Sequence, residues 1–492
     1  METLETVVTW LCIVFVATGA VPVAAGAYQF LVIPFHAVRN HYGRTAPYFP
    51  RVAVVVPAWN EGAVIAASID RLMRLEYPPE SLRVYLVDDA STDDTPDVAR
   101  AKELEYPGRV VHLRREKGGE GKAHTLNHGL RTILADDWMQ ALLIMDADVI
   151  YQPDSLRLMT RHLADPEVGA VTAYITEGSD DPNYMTRFIG YEYIAAQAAA
   201  RRAQNVMGAV ACLAGGAQLH SRENLEAIGG EIDTTSLAED TFTTLRTQIA
   251  GRRVVFEPHA IVLAEEPGTV GALWKQRLRW SRGNVQISRV FKHLWFRPRR
   301  EHHLGSIPFG LIWFAILLLP ATMVLNSAGL IGLYMLDSDY ARTAFQATWF
   351  LAGSTYVFLT AFTIMIDPAT GRRAWREAIA FPGLMSLLVM TVAFAPAIID
   401  TYADQLLGSN PFLTDAWVLF VYSWISLSMV GAWLAKRLET TRAGRWLTPP
   451  LVYLVGYGPI LCAITFDAYV KEYRGAAQVW DKTEKTGRVR AG

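Results

Sequence analysis

The sequence predicts an α/β domain with a mostly parallel sheet, inserted between an N-terminal apolar helix and a C-terminal bundle of apolar helices. Three observations carry this expectation. Strand-like apolar runs alternate with amphipathic stretches between about residues 51 and 300. A run long enough to cross a hydrocarbon core of roughly 30 Å occupies residues 7–33. Further runs follow at 307–336, 344–366, 378–399, 416–435 and 447–466, each at or near spanning length.

With 492 residues, 51% of them hydrophobic, the chain is too long for one domain and too apolar for an ordinary soluble protein. The expected divisions are an anchor at 1–40, the α/β domain at 50–270, an amphipathic interfacial segment at 271–303, a bundle at 304–470 and a basic tail at 471–492. Glu2 and Glu5 precede the first run and no Lys or Arg does, so it lacks the basic start of a signal peptide and reads as a retained anchor. Basic segments beside the runs, "RNHYGR", "RPRREHH" and "GRRAWRE", place the α/β domain in the cytosol. Six full crossings would leave the basic tail outside. The run at 378–399, with Pro382 and Pro396, is therefore expected to dip into the interface. A net charge of −2 argues against a nucleic-acid partner. Cys12, Cys212 and Cys462 lie far apart and show neither metal spacing nor a disulfide framework.

Inside the α/β domain the strand-like runs are "VAVVVPAW", "RVYLVDD", "RVVHL" and "ALLIMDAD", with amphipathic stretches at 63–75 and 122–134. Ligands of such sheets bind outside the carboxyl ends of the strands, where the polar residues cluster here. No GxGxxG follows the first strand and no GxxxxGK[ST] loop is present, which disfavours a dinucleotide-dependent dehydrogenase and a P-loop nucleotidase.

The second strand ends in "DDASTDDT". Ser91 or Thr92 could cap the next helix before an acidic first turn. Asp88 comes too early for that. With Asp89 it sits at the strand tip, where a carboxylate can accept from a uracil N–H or a ribose hydroxyl. In "GGEGKAHTLNHGL" the glycines make a tight loop and Lys122 opens the next helix. There its ammonium could meet a phosphate, or simply be solvated.

"LIMDADVI" ends an apolar run in two carboxylates one residue apart. In a strand Asp146 and Asp148 share a face and repel unless a cation lies between them. Two hard oxygen ligands suit Mg²⁺ or Mn²⁺ carrying a diphosphate; the alternative is a turn with two solvated aspartates. In "SLAEDTFTTL", Glu239 suits a helix N-terminus, and Asp240 can take a proton from an attacking hydroxyl. In "WKQRLRWSRGN", Gln276, Arg279 and Trp280 share one helix face. That face reads as interfacial, with Trp280 also a stacking platform for a sugar and Arg279 a partner for a departing diphosphate. "VACLAGGAQLH" reads as a strand and turn near the acceptor. Gly215 and Gly216 allow close approach of a sugar, and Cys212 is a buried small hydrophobe.

The ordered set "VVVPAWNEG", "VDDASTDDT", "GKAHTLNHGL", "MDADV", "LAEDTFTTL" and "QRLRW" resembles the family-2 glycosyltransferases. More narrowly it is similar to the membrane-embedded processive synthases of cellulose, chitin, hyaluronan and poly-N-acetylglucosamine. The resemblance covers about residues 51–283. It implies a Rossmann-like GT-A domain in the cytosol, a UDP-sugar donor, a growing glycan acceptor and an inverting, single displacement that gives a β-linkage. By motif, Asp88 would contact the nucleoside, with Glu61, Asp89, Lys122, Gly215 and Gly216 also binding substrate. Asp146 and Asp148 would hold the metal, Asp240 with Glu239 beside it would be catalytic, and Gln276, Arg279 and Trp280 match QxxRW. The family often shows "TED" where this chain has Ala238-Glu239-Asp240. The tail segment "WDKTEKTGR", 480–488, is similar in place to the WGTxxR-like loop of hyaluronan synthases. The resemblance implies a multi-pass protein of the plasma membrane, in contact with membrane lipid, that feeds polymer through its own bundle. Trp313, Trp349, Tyr356 and Trp424 are then available to line a path or to anchor at the interface. Single addition to a lipid carrier is the alternative. A non-enzymatic transporter or scaffold is disfavoured by the intact acidic motifs.

Overall fold

The computed structural model describes residues 2–38, 43–395, 411–439, 444–477 and 489. The chain forms two compact units. One comprises Val32–Gly268, Arg282–Gly310 and Gly475–Gly492, the other Met1–Leu31, Thr269–Ser281 and Leu311–Arg474.

Among the described residues, the first unit is built on eight strands: β1 (Val52–Ala58), β2 (Leu82–Asp88), β3 (Val110–Arg114), β4 (Ala141–Ile144), β5 (Val149–Tyr151), β6 (Val168–Glu177), β7 (Gln218–Ser221) and β8 (Arg253–Ala264). Their order is β3-β2-β1-β4-β7-β6-β8-β5. The first four are parallel, as the alternation of runs predicts. The rest of the sheet is mixed, because β7 runs against both β4 and β6, and β5 against β8.

β1, β2 and β4 are continuous apolar runs because helices leave little of them to solvent; Val52 through Val56 are at most 1% exposed. The helix Lys122–Leu134 presents Leu126, Leu130 and Ile133 to Val55, Val87, Leu142 and Ile144. Each such buried side chain contributes roughly 1.5–3 kcal/mol. Parallel register gives β1, β2 and β4 carboxyl ends that point the same way. The segments after Ala58, Asp88 and Ile144 therefore gather at one edge of the sheet.

Among the described residues, four helices are long and apolar enough to cross a membrane: Thr3–Val38, which lies in the second unit as far as Leu31, and Leu319–Leu336, Asp339–Ile366 and Phe412–Glu439 within it. Two further pairs are bent, Pro368–Ala380 with Leu384–Phe394 by 68° and Leu447–Val455 with Tyr457–Tyr473 by 91°. Two of the expected runs are thus not single continuous helices. The run at 307–336 is two helices, Ile307–Leu317 and Leu319–Leu336, parted just before Pro320, whose missing N–H breaks the ladder. The run at 447–466 is broken at Gly456, whose φ is 106°. The run at 378–399, expected to dip, is interrupted at Gly383 (φ 90°), and residues 396–399 lie outside the described residues.

The two bends meet. A Cβ on Gly383 would lie 2.3 Å from the Val455 carbonyl oxygen, and one on Gly456 2.4 Å from that of Pro382. The Gly458 N–H donates to the Phe381 carbonyl at 3.1 Å. Only residues without a Cβ that also tolerate positive φ let the chain cross itself in backbone contact. Elsewhere in the unit, small residues bring helices close: a Cβ on Gly329 would lie 2.7 Å from the Cys12 carbonyl oxygen.

Candidate active site

Everything in this site starts from the strand tips of the first unit. Asp88 closes β2 and is fully buried. Its Oδ1 accepts from the Ser91 N–H at 2.8 Å. Its Oδ2 lies 3.3 Å from Arg114 Nη1 but has no hydrogen bond among the described residues. A buried carboxylate oxygen whose hydrogen-bonding capacity is unused suits a ligand N–H or O–H. Asp89 is used to fold the next loop, pairing with Arg115 and accepting from the Gly119 N–H at 2.9 Å. The expected capping role of Ser91 or Thr92 is not realised. Ser91 Oγ accepts from the Asn60 N–H at 2.9 Å, while Asp93 Oδ1 accepts from the N–H of Thr95, which opens the helix. Glu61 precedes the helix Gly62–Met73, and its N–H donates to Thr95 Oγ1 at 2.8 Å.

Asp146 and Asp148 lie in the turn between β4 and β5 rather than in a strand, because pairing with β1 ends at Ile144. Both are half-buried. Lys122 opens the helix Lys122–Leu134 after Gly121 (φ 109°) and is not a solvated first-turn lysine. Its side chain is only 9% exposed, with Nζ 2.5 Å from Asp146 Oδ1 and 3.7 Å from Glu239 Oε1. It also donates to the Gly215 carbonyl at 3.0 Å. Burial alone would lower the pKa of this ammonium, but the charges of Asp146 and Glu239 outweigh it and hold the pKa raised.

Gly215 and Gly216 thread between the carboxylates. A Cβ on Gly215 would lie 3.2 Å from Asp240 Oδ2 and 3.4 Å from Lys122 Nζ; one on Gly216 would lie 3.2 Å from Asp146 Oδ2. Asp240, second residue of the helix Glu239–Ile249, accepts at Oδ1 from the Thr241 N–H at 2.7 Å. Beside this group opens a cleft of about 460 Å³, counting space open to solvent, lined by Gly119, Gly121, Lys122, Ser236 and Glu239.

The helix that carries Asp240 also places the glycines. Thr244 Oγ1 accepts from the Leu213 N–H at 2.8 Å, and Gln248 both accepts from and donates to the backbone of Val210. Asp240, Thr244 and Gln248 are four residues apart and share one face. The hydroxyl and amide residues of "TFTTLRTQ" are the sequence signal for this, since such residues are unusual within a helix unless they bond something. Asn127, on the helix of Lys122, clamps the loop before Glu239 with paired hydrogen bonds to Ile232, both 2.8 Å. The Ala238 that replaces the family's common threonine packs against Gly283, where a Cβ would lie 2.5 Å from its own.

No sequence pattern pointed to Arg201. It is buried after a π-helical stretch, Ile194–Ala199, and donates to Gln197 Oε1 at 2.7 Å. Burial lowers its pKa, against the opposing charge of Asp240. Burial and the Asp240 carboxylate together push the neighbouring Cys212 thiol up, so Cys212 is a protonated small residue.

Gln276, Arg279 and Trp280 lie on the helix Val270–Val290, in its part that belongs to the second unit. Gln276 is buried and accepts from Arg277 at 2.8 Å, and the Arg277 guanidinium lies 3.9 Å from the Trp280 ring centroid. Arg277, passed over in the sequence, thus joins two of the three motif residues. The segment 480–488 lies outside the described residues; Val489 beyond it bridges to Ser179.

Among the described residues, no cluster of three or more His, Cys, Asp or Glu forms a metal cage. The pair Asp146 and Asp148 offers two hard, half-buried oxygen donors. That set fits a small divalent cation that completes its shell with water and phosphate oxygens.

Residues 50–283 match the family model described as "Glycosyltransferase like family 2". Among curated relatives, a beta-monoglucosyldiacylglycerol synthase of Synechocystis is 33% identical over 49% of each chain. A poly-beta-1,6-N-acetyl-D-glucosamine synthase of Staphylococcus epidermidis is 22% identical over 64% of this chain and 74% of its own. The chain spans about half the length of the first of these. Among solved structures, a mannosyltransferase of Pyrobaculum calidifontis, in complex with GDP-mannose and Mn²⁺, is 24% identical. It aligns with a TM-score of 0.51 over 72% of this chain and 98% of its own, a likeness of GT-A fold. The mixed sheet, the carboxylates at its strand ends and the family match coincide in extent, and residues 50–283 are a glycosyltransferase family 2 domain.

Proposed function

We propose that the protein is an inverting glycosyltransferase that uses a UDP-sugar to lengthen a β-linked glycan at the cytosolic face of the plasma membrane and passes it through its own bundle. The observation that carries the chemistry is the grouping of Asp146, Lys122 and Glu239, with Asp240 across Gly215 from the ammonium. The Oδ2 of Asp88, which pairs with Arg114 but makes no hydrogen bond among the described residues, would accept from the nucleoside. Mg²⁺ or Mn²⁺ held by Asp146 and Asp148 would neutralise the diphosphate and ease its departure.

In this reading Asp240 takes the proton from the acceptor hydroxyl as its oxygen attacks the anomeric carbon. The bond to the diphosphate breaks on the opposite face, which inverts the configuration. The Lys122 ammonium would offset the negative charge that grows on the leaving group, an arrangement effective in lowering such a barrier. One base and a stabilised leaving group suffice, so no second nucleophilic carboxylate is required. The name of the Staphylococcus relative supports a polymer product.

A second reading, addition of one sugar to a lipid acceptor, is favoured by the Synechocystis relative, whose name specifies a glucosyldiacylglycerol product. The test is UDP release by purified, detergent-solubilised protein across a panel of UDP-sugars with Mg²⁺ or Mn²⁺, with product size read on the same samples. High-molecular-weight glycan from one donor, or from an obligatory pair, establishes the polymerase. Release that requires added lipid and stops after one sugar establishes the lipid transferase. No release under any of these conditions overturns both.

A further inference from the structure

Residues 289–300, "RVFKHLWFRPRR", hold five cationic side chains, Arg289, Lys292, Arg297, Arg299 and Arg300, and no carboxylate. All five are exposed, and none forms an ion pair among the described residues. Surface arginines normally find acidic neighbours when these are available, so an unneutralised group of this density is a standing positive potential. Apolar side chains are interleaved with it: Val290 is 52% exposed, Phe296 45% and Ile307, just beyond, 57%.

The segment is held in a fixed shape. Leu294 and Trp295 turn inward and are buried, and the Trp295 indole N–H donates to the Ser288 carbonyl at 2.9 Å. The Trp295 ring stacks on Phe309 with centroids 6.2 Å apart. Gly305 closes on the turn so tightly that a Cβ there would lie 2.0 Å from the Arg297 carbonyl oxygen. Phe296 takes a left-handed backbone (φ 57°), unusual for an aromatic residue, and its ring lies against Gly310 in the apolar helix Ile307–Leu317. The cationic turn is therefore anchored to the first turns of an apolar helix, with its guanidinium groups directed outward.

We infer that this turn is a docking site for the headgroups of anionic phospholipids in the bilayer. Charge complementarity selects the headgroup, the exposed Val290, Phe296 and Ile307 enter the headgroup boundary, and the preset shape lowers the ordering cost of binding. Arginine suits this use because its planar fork bonds two phosphate oxygens at once. The inference concerns the lipid surface and is independent of the donor and acceptor proposed above.

The test uses the full chain reconstituted in vesicles of phosphatidylcholine and phosphatidylglycerol, then extracted and purified. The ratio of the two lipids carried with the protein is read by mass spectrometry. The wild type should be enriched in phosphatidylglycerol. Arg297→Gln/Arg299→Gln/Arg300→Gln should lose that enrichment, by up to about fivefold per charge removed. Arg297→Lys/Arg299→Lys/Arg300→Lys should retain most of it, and Arg100→Gln, at an exposed arginine paired with Asp97 on the helix Thr95–Glu105, should leave it unchanged. All three arginines are exposed, so the variants should fold; unchanged thermal midpoints would verify this. Equal lipid ratios in the wild type and the triple glutamine variant would overturn the inference, as would an equal loss in Arg100→Gln.

Discussion

The Lys122 ammonium lies 2.5 Å from Asp146 and 3.7 Å from Glu239, joining the carboxylate pair after β4 to the acidic start of the helix Glu239–Ile249. Two parts of the site far apart in sequence are thus held by one cation. Lys122→Gln should reduce sugar transfer by about 10²–10³-fold, since a charge aimed at the leaving group is lost. It should also destabilise the fold by on the order of 3 kcal/mol, because the buried Glu239 and the half-buried Asp146 lose the cation between them. Turnover assays with a thermal midpoint on the same preparation check both. Near-normal turnover would remove Lys122 from the chemistry.

Gly215→Ala places a methyl group 3.2 Å from Asp240 Oδ2 and 3.4 Å from Lys122 Nζ, in the space that the reading above assigns to reacting groups. Turnover should fall at least about tenfold, since small displacements of a base are costly, while nucleotide binding at Asp88 should persist. Comparing turnover with UDP affinity by titration calorimetry separates the two. Equal loss of both would point to a collapsed loop.

His220, on β7, is fully buried, and burial pushes its pKa down to about 4. In the unfolded chain it titrates near 6.5, so between these values the unfolded chain binds the additional proton. Stability should be unaffected by this group above pH 6.5 and should fall as pH drops towards 4, by up to about 3 kcal/mol. His220→Gln should flatten the thermal midpoint between pH 7 and 5. An equally steep profile in the variant would assign the dependence to other groups.

Gly383→Ala and Gly456→Ala should each be strongly destabilising, by more than about 3 kcal/mol, because positive φ and a backbone clash act together. Yield and midpoint in detergent are the measures. A well-folded Gly456→Ala protein would mean that the two bent pairs do not cross in backbone contact.

Much of this was legible in the sequence. Continuous apolar runs gave β1, β2 and β4, because strands buried on both faces need no alternation, and they brought Asp88 to a strand tip. Helix periodicity located Lys122–Leu134 within the residue. What was hidden depends on pairing between distant segments. Asp146 and Asp148 belong to a turn because β4 loses its partner at Ile144, which no local pattern reports. The bond from Lys122 to Asp146, the Gln276–Arg277–Trp280 grouping and the placement of Arg201 are contacts of side chains, and linear spacing fixes only their backbones. The break at Gly456 was missed because one glycine in an apolar run is ordinarily tolerated; only its contact with Pro382 and Gly383 makes it a bend.

The central claim is that Asp240 removes the acceptor proton. Its most direct test is Asp240→Asn, isosteric but unable to accept that proton, assayed beside the wild type for UDP release and for UDP binding. The account predicts that transfer falls by at least about 10²-fold while UDP binds with near wild-type affinity. Sustained turnover in Asp240→Asn, with the fold intact, would contradict it.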